Sequence, residues 1–137
     1  MKTFKTIAGI LATLMLTINV GSPSAGQSRT YYISPGGNDT NSGLSKRAAW
    51  ASIERVNRAA FQPGDAILFE SNGVWKGQLH PQGNGAPGRP IIIGSYGKGS
   101  RPVINMGETE GVGIYLYNQS WWEIKVLEVT KIGRAHV

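Results

Sequence analysis

Two acidic residues, Glu108 and Glu110, stand close together in the stretch GETEG. A carboxylate pair can serve as general acid and base, or hold Ca²⁺ through oxygen ligands. No partner residue accompanies this one, so a solvated loop is the better reading. Asp65 follows Pro63 and Gly64 and reads as a turn-stabilising carboxylate. Asn38, Asp39 and Asn41 offer oxygens to a cation, but their spacing matches no EF-hand and suits a local Asx-turn. His80 precedes Pro81, has no Ser, Asp or second His motif beside it, and reads as a structural or surface histidine. Gly83, Gly85 and Gly88 spell G-x-G-x-x-G. Pro87, Pro90 and the strand-forming run Ile91–Ile93 exclude the helix that a dinucleotide site would need there. These groups yield no catalytic residue and no metal ligand.

The aromatic residues say more. Trp75, Tyr117, Trp121 and Trp122 are the candidate substrate-binding residues, with Tyr115 nearby in sequence. An aromatic face can stack on a sugar ring, but it can equally pack within a core. Trp121 and Trp122 are adjacent, so in a strand they face opposite ways and one of them points outward. Asn38-Asp39-Thr40 and Asn118-Gln119-Ser120 match the glycosylation sequon and read as turns in a bacterial source.

The elements that must position these residues are short. RTYYIS, AILF and Val74-Trp75 are β-prone, separated by turn chemistry at Pro63-Gly64-Asp65 and Ser71-Asn72-Gly73. Within AWASIERVNRAAF, Ile53, Val56 and Ala60 recur on one helical face, Ser52 suits the N-cap, and Arg55 and Arg58 fall on the outer side. From Ile91 onward, short apolar runs alternate with turns. Such strands build a core best as stacked rungs, each sharing its interior with the next. The alternation restarts between Val126 and Leu127, as expected where a chain turns a corner.

Composition narrows the function. There are no cysteines, which excludes disulfides, zinc thiolates, Cys nucleophiles and a lipobox anchor. Charged residues make up only 16% of the 137-residue chain, and Gly is abundant at 19, as suits β structure with many turns. The net charge is +6. Setting aside Lys2, Lys5, Lys131 and Arg134 leaves ten basic residues against eight acidic ones over 27–130. They are scattered, so no nucleic-acid partner is expected. Residues 1–26 read as a signal peptide: Lys2 and Lys5, the apolar run Ile7–Val20, then small residues. An N-terminal membrane anchor is the alternative. Signal cleavage would leave no stable membrane insertion and a secreted, periplasmic or cell-surface product.

The segments YYISPGGNDTNSG, WASIERVN, FQPGDAILFESNGVWKGQL, GAPGRPIIIGSYGKGSRPVIN and IYLYNQSWWEIKVLEVT occur in this order. In this combination the chain resembles the N-terminal part of secreted right-handed parallel β-helix proteins of the pectin-lyase-like superfamily. The resemblance implies an all-β solenoid start with one short capping helix, truncated after the first coils. Residues 27–65 would be the cap, with the helix near 52–60, and 66–130 the first coils. The parent protein would be a polysaccharide lyase or glycoside hydrolase, and this stretch inactive by itself. The alternative is a non-catalytic β-helix adhesin, carbohydrate-binding or structural protein. In such families lyases use a basic residue, often with Ca²⁺ neutralising a uronate, and hydrolases use paired carboxylates. The partner is thus a polysaccharide. Ca²⁺ is a cofactor open to the full-length parent, and none is implied for this stretch.

The final residues, KIGRAHV, fit one reading frame that, after its first base, matches the start of a common sequencing-library adapter. Residues 131–137 are therefore read as a translated adapter and excluded from fold reasoning, which removes His136 from the candidate ligands.

Overall fold

The computed structural model describes residues 26–108 and 111–131. The segment up to residue 25, where a signal peptide is expected, Glu110, and residues 132–137 of the tail lie outside them. The described residues form an all-β structure of short parallel strands with one short helix. No helix among them is long and apolar enough to cross a membrane.

The chain opens with β1 (Thr30–Ile33), then α1 (Ile53–Asn57) and β2 (Ala60–Phe61). It continues through β3 (Ala66–Glu70), β4 (Val74–Lys76), β5 (Gln82–Gly83), β6 (Ile91–Tyr96), β7 (Val103–Asn105), β8 (Trp122–Ile124) and β9 (Glu128–Thr130). Strands from successive passes pair in parallel and build three ladders: β1-β3-β6-β8, β2-β5, and β4-β7-β9. A further parallel bridge joins Leu79 to Ile114. β8 belongs to the first ladder and β9 to the last, so the restart of alternation after Val126 coincides with a change of sheet. Val126 itself takes φ +52 there.

Period-two alternation sets the faces. In β3, Ile67 and Phe69 turn inward while Ala66, Leu68 and Glu70 stay partly exposed. Register then stacks Tyr31, Ile67 and Ile93 in one column, and Ile33 and Phe69 in the next. Trp75 and Ile104 form the matching column of the third ladder. These residues join Trp50, Ile53, Val56, Phe61, Leu79 and Ile91 in a single core. Burying one large aliphatic or aromatic side chain contributes roughly 1.5–3 kcal/mol, so a core shared across passes is what holds such short strands together.

The helix starts where expected, with Ser52 Oγ accepting from the Arg55 N–H at 3.1 Å. It stops earlier than the spacing suggests. Ala60 leaves the helix and pairs with Gln82 as part of β2, because that strand places Phe61 in the core. β1, expected within the cap, is the edge strand of the main ladder.

Candidate functional site

Pro63-Gly64 and Pro87-Gly88 each occupy the centre of a tight turn just before a strand of the first ladder. Asp65 N–H donates to Gln62 O at 3.0 Å, and Arg89 N–H to Ala86 O at 2.8 Å. With Gly64 at φ +88 and Gly88 at φ +74, both fit type II geometry, where proline sets the first central φ and glycine supplies the second. The turns are clasped together. Gly64 N–H donates to Arg89 O at 3.0 Å, and Arg89 Nη2 donates to Pro63 O at 3.0 Å and to Gly26 O.

Beside them lies a cleft of about 540 Å³, lined by Arg29, Tyr31, Gln62, Asp65 and Arg89 among others. Asp65 is fully buried, and its oxygens accept the N–H groups of Arg29 and Gln62, both at 2.8 Å. It is a structural carboxylate, as its place in the turn suggests. A hydrogen bond to Tyr31 raises the pKa of Arg29.

A second polar group sits on the outer face of the first ladder. Ser34 Oγ donates to Glu70 Oε2 at 2.5 Å. Tyr96 meets Tyr32 edge-on at 5.1 Å between ring centroids, and Lys46 Nζ lies 5.6 Å from the Tyr96 centroid. Burial, and next the charge of Glu70, push the Tyr96 phenol up, while a hydrogen bond with Ser34 works against them. Asp39 accepts from the backbone of Ala51 and Ser52. No group of acidic or histidine side chains among the described residues is arranged to hold a metal ion. Glu108 is exposed.

The four aromatic candidates separate. Trp75 is 5% exposed. The alternation of β4 turns Val74 and Lys76 outward and Trp75 inward, where it meets Phe69 edge-on at 4.9 Å and donates from Nε1 to Ala51 O at 2.9 Å. Its place is therefore in the core, and it presents no face to a substrate. Trp122 is half-buried, with Nε1 donating to Gly83 O at 3.0 Å and its ring edge-on to Phe61. Trp121 is the outward member of the pair at 54% exposure, with φ +61. Tyr117 is 62% exposed and stacks on Tyr115 at 6.0 Å with planes 6° apart. Tyr115 in turn meets the ring of His80 at 5.0 Å. The role of His80 in this aromatic row was not visible in sequence, since its neighbour is 35 residues away. The parallel bridge Leu79–Ile114 is what puts His80 and Tyr115 in register.

This parallel all-β arrangement has known counterparts. The chain is similar to lacto-N-biosidases. It is 37% identical over 89 residues to the lacto-N-biosidase of Bifidobacterium longum subsp. longum, a match covering 60% of this chain and 6% of that protein. The crystal structure of the GH136 lacto-N-biosidase from Eubacterium ramulus superposes with a TM-score of 0.70 at 27% identity, over 78% of this chain and 21% of that one. A rhamnogalacturonan lyase shares the fold, with a TM-score of 0.58 at 20% identity over 74% of this chain and 28% of its own. No family model matches. The chain thus spans a small fraction of the length of these lacto-N-biosidases. Its structural neighbours are carbohydrate-active enzymes, and its parallel all-β architecture is the one it shares with them.

Proposed function

We propose that this chain is the cap and first coils of an exported right-handed parallel β-helix enzyme, a glycoside hydrolase of the lacto-N-biosidase kind. The observation that carries the reading is the 37% identity to a lacto-N-biosidase, joined to the TM-score of 0.70 with a second one. The lyase match is lower in both identity and TM-score, which favours hydrolysis over elimination. The stacked parallel ladders and the single core support the coil reading. In this reading the described residues contribute scaffold and glycan-facing surface. Asp39, Asp65 and Glu70 are each engaged in structural hydrogen bonds; under this reading the paired carboxylates for hydrolysis belong to further coils.

The test is to express the full-length gene, read independently beyond codon 130, and assay it on a chromogenic lacto-N-bioside and on uronate polymers. Release of the disaccharide is expected. Unsaturated products from uronates without that release would establish a lyase instead, and no cleavage of either would overturn the enzyme reading.

A further inference from the structure

The bridge between Leu79 and Ile114 fixes an outward row. Leu79 is fully buried and Ile114 packs against the core. The residues that follow each of them, His80 and Tyr115, therefore stand on the outer side one above the other. Two positions further on, Tyr117 returns to that side with its ring parallel to Tyr115. Backbone bonds lock the two segments together: Leu79 N–H to Gly113 O at 2.8 Å and Tyr115 N–H to Leu79 O at 2.9 Å. Gln119 Nε2 donates to Pro81 O, and Ser120 N–H to Asn84 Oδ1, both at 2.8 Å. The rings are thus pre-positioned, yet Tyr115 and Tyr117 remain 40% and 62% exposed.

The surroundings are distinctive. Residues 77–85 and 111–121 contain no Asp, Glu, Lys or Arg. They carry Gln78, Gln82, Asn84, Asn118, Gln119 and Ser120 instead, side chains that both donate and accept hydrogen bonds without charge. Flat aromatic faces amid neutral amides match a ligand with an apolar C–H face and a rim of hydroxyls. An anionic ligand would find no cation in these segments. A protein partner needs about 800 Å² on each side, well beyond three rings.

We propose that His80, Tyr115 and Tyr117 form a stacking site for a neutral pyranose. The choice of a sugar as ligand rests on the glycan-active reading above, while the neutral class rests on the composition of these two segments.

The test uses the full-length gene product labelled with fluorotyrosine, with the Tyr115 and Tyr117 resonances assigned through Tyr115→Phe and Tyr117→Phe. Methyl β-galactopyranoside and N-acetylglucosamine should shift both resonances with millimolar affinity, on the order of the weakest specific binding. Galacturonate at equal concentration should shift neither. Tyr117→Ala should weaken the response at Tyr115 roughly tenfold, the scale of one lost aromatic contact. Resonances unmoved by neutral sugars, or moved equally by galacturonate, would overturn the assignment. Those readings come from the unsubstituted side chains, so they stand even if Tyr117→Ala fails to fold. The lacto-N-bioside assay on the same preparation reports separately. Cleavage without shifts sinks the stacking site alone, and shifts without cleavage sink the hydrolase reading alone.

Discussion

Asp39 accepts hydrogen bonds from both the backbone N–H and the hydroxyl of Ser52, at 3.0 and 2.5 Å. Ser52 Oγ in turn accepts from Arg55 N–H. A loop carboxylate 13 residues upstream thereby orients the N-cap of α1, and α1 places Ile53 and Val56 in the core. Burial alone would raise the pKa of Asp39. The hydrogen bonds from Ser52 and Ala51, with the charge of Arg55, outweigh it and hold the carboxyl below its ordinary 3.8. The stability this supplies is fully present above the unfolded value and is lost as pH falls through the lower folded one. Asp39→Ala should cost about 2 kcal/mol at neutral pH, the scale of hydrogen bonds to a charged group. Denaturation midpoints of wild type and variant should converge below about pH 4. A gap that persists in acid would show that the charge is not what matters.

Arg55 lies on α1 with its guanidinium 4.0 Å from the ring centroid of Trp50, and its Nε donates to Asp39 O at 3.3 Å. Trp50 is buried and stacks on Tyr31 at 5.0 Å. Arg55→Ala should therefore cost about 1 kcal/mol, the value of a partly desolvated cation–π contact. Arg55→Lys should recover part of it, because an ammonium keeps the charge and loses the planar stack. Equal loss in both variants, measured by denaturant melts, would place the contribution in the guanidinium geometry alone.

These contacts show what was legible in the sequence and what was not. The N-cap at Ser52 and the turn role of Asp65 depend on neighbours within three residues, so local rules found them. The inward turn of Trp75 was not local: of its two flanks Val74 is apolar and Lys76 charged, so alternation alone left its face open, and the contacts with Phe69 and Ala51 decide it. The partnership of Asp39 with Ser52, of Arg55 with Trp50, and of His80 with Tyr115 depends on register between distant segments. The strand pattern announces that rungs stack, but not which residue of one pass lies over which of the next. Short strands with uneven connections leave that offset open.

Gly83 and Gly88 make a paired test of backbone demands. Both take positive φ, +128 and +74. A Cβ on Gly88 would meet nothing within 4 Å, whereas one on Gly83 would collide with the carbonyl oxygen of Phe61, its partner in the β2-β5 ladder. Gly88→Ala should therefore cost only the left-handed conformation, roughly 1–2 kcal/mol. Gly83→Ala should cost clearly more, because it adds a clash with buried backbone and a φ that is essentially reserved for glycine. Comparable melting temperatures for the two would refute the close packing of that ladder.

Tyr96 should ionise above the ordinary phenol value of 10.0. Burial contributes most to this, with the charge of Glu70 next. A raised pKa means that the folded state holds its proton more tightly than the unfolded chain. The associated stability is complete below about pH 10 and declines as pH rises through the folded value. Glu70→Gln removes the negative neighbour and should lower the Tyr96 pKa. Ser34→Ala removes the hydrogen bond that opposes the shift and should raise it further. Ring-labelled tyrosine NMR across alkaline pH would show both, and a rise with Glu70→Gln or a fall with Ser34→Ala would break the proposed arrangement of the three side chains.

Trp121 holds a conformation that disfavours its own side chain. At φ +61 a bulky residue pays roughly 1–2 kcal/mol that glycine would not. The backbone cannot relax, because Trp121 O accepts from Ile91 N–H at 2.9 Å and Ser120 O from Gly85 N–H at 3.0 Å. Replacing the residue with glycine relieves the strain and gives back about 1 kcal/mol through the looser unfolded chain. Trp121→Gly should therefore leave stability unchanged or raise it by up to about 1 kcal/mol. Trp122→Gly is the contrast. It removes the bond to Gly83 O and the packing against Phe61, and should cost about 3 kcal/mol. The glycan reading gives an exposed ring at this backbone cost a use outside the fold. Under the glycan reading, Trp121→Gly should weaken retention of the full-length protein on a neutral polysaccharide column while its melting curve stays sharp. A loss of stability equal to that of Trp122→Gly would instead make Trp121 a packing residue and remove it from the ligand-facing set.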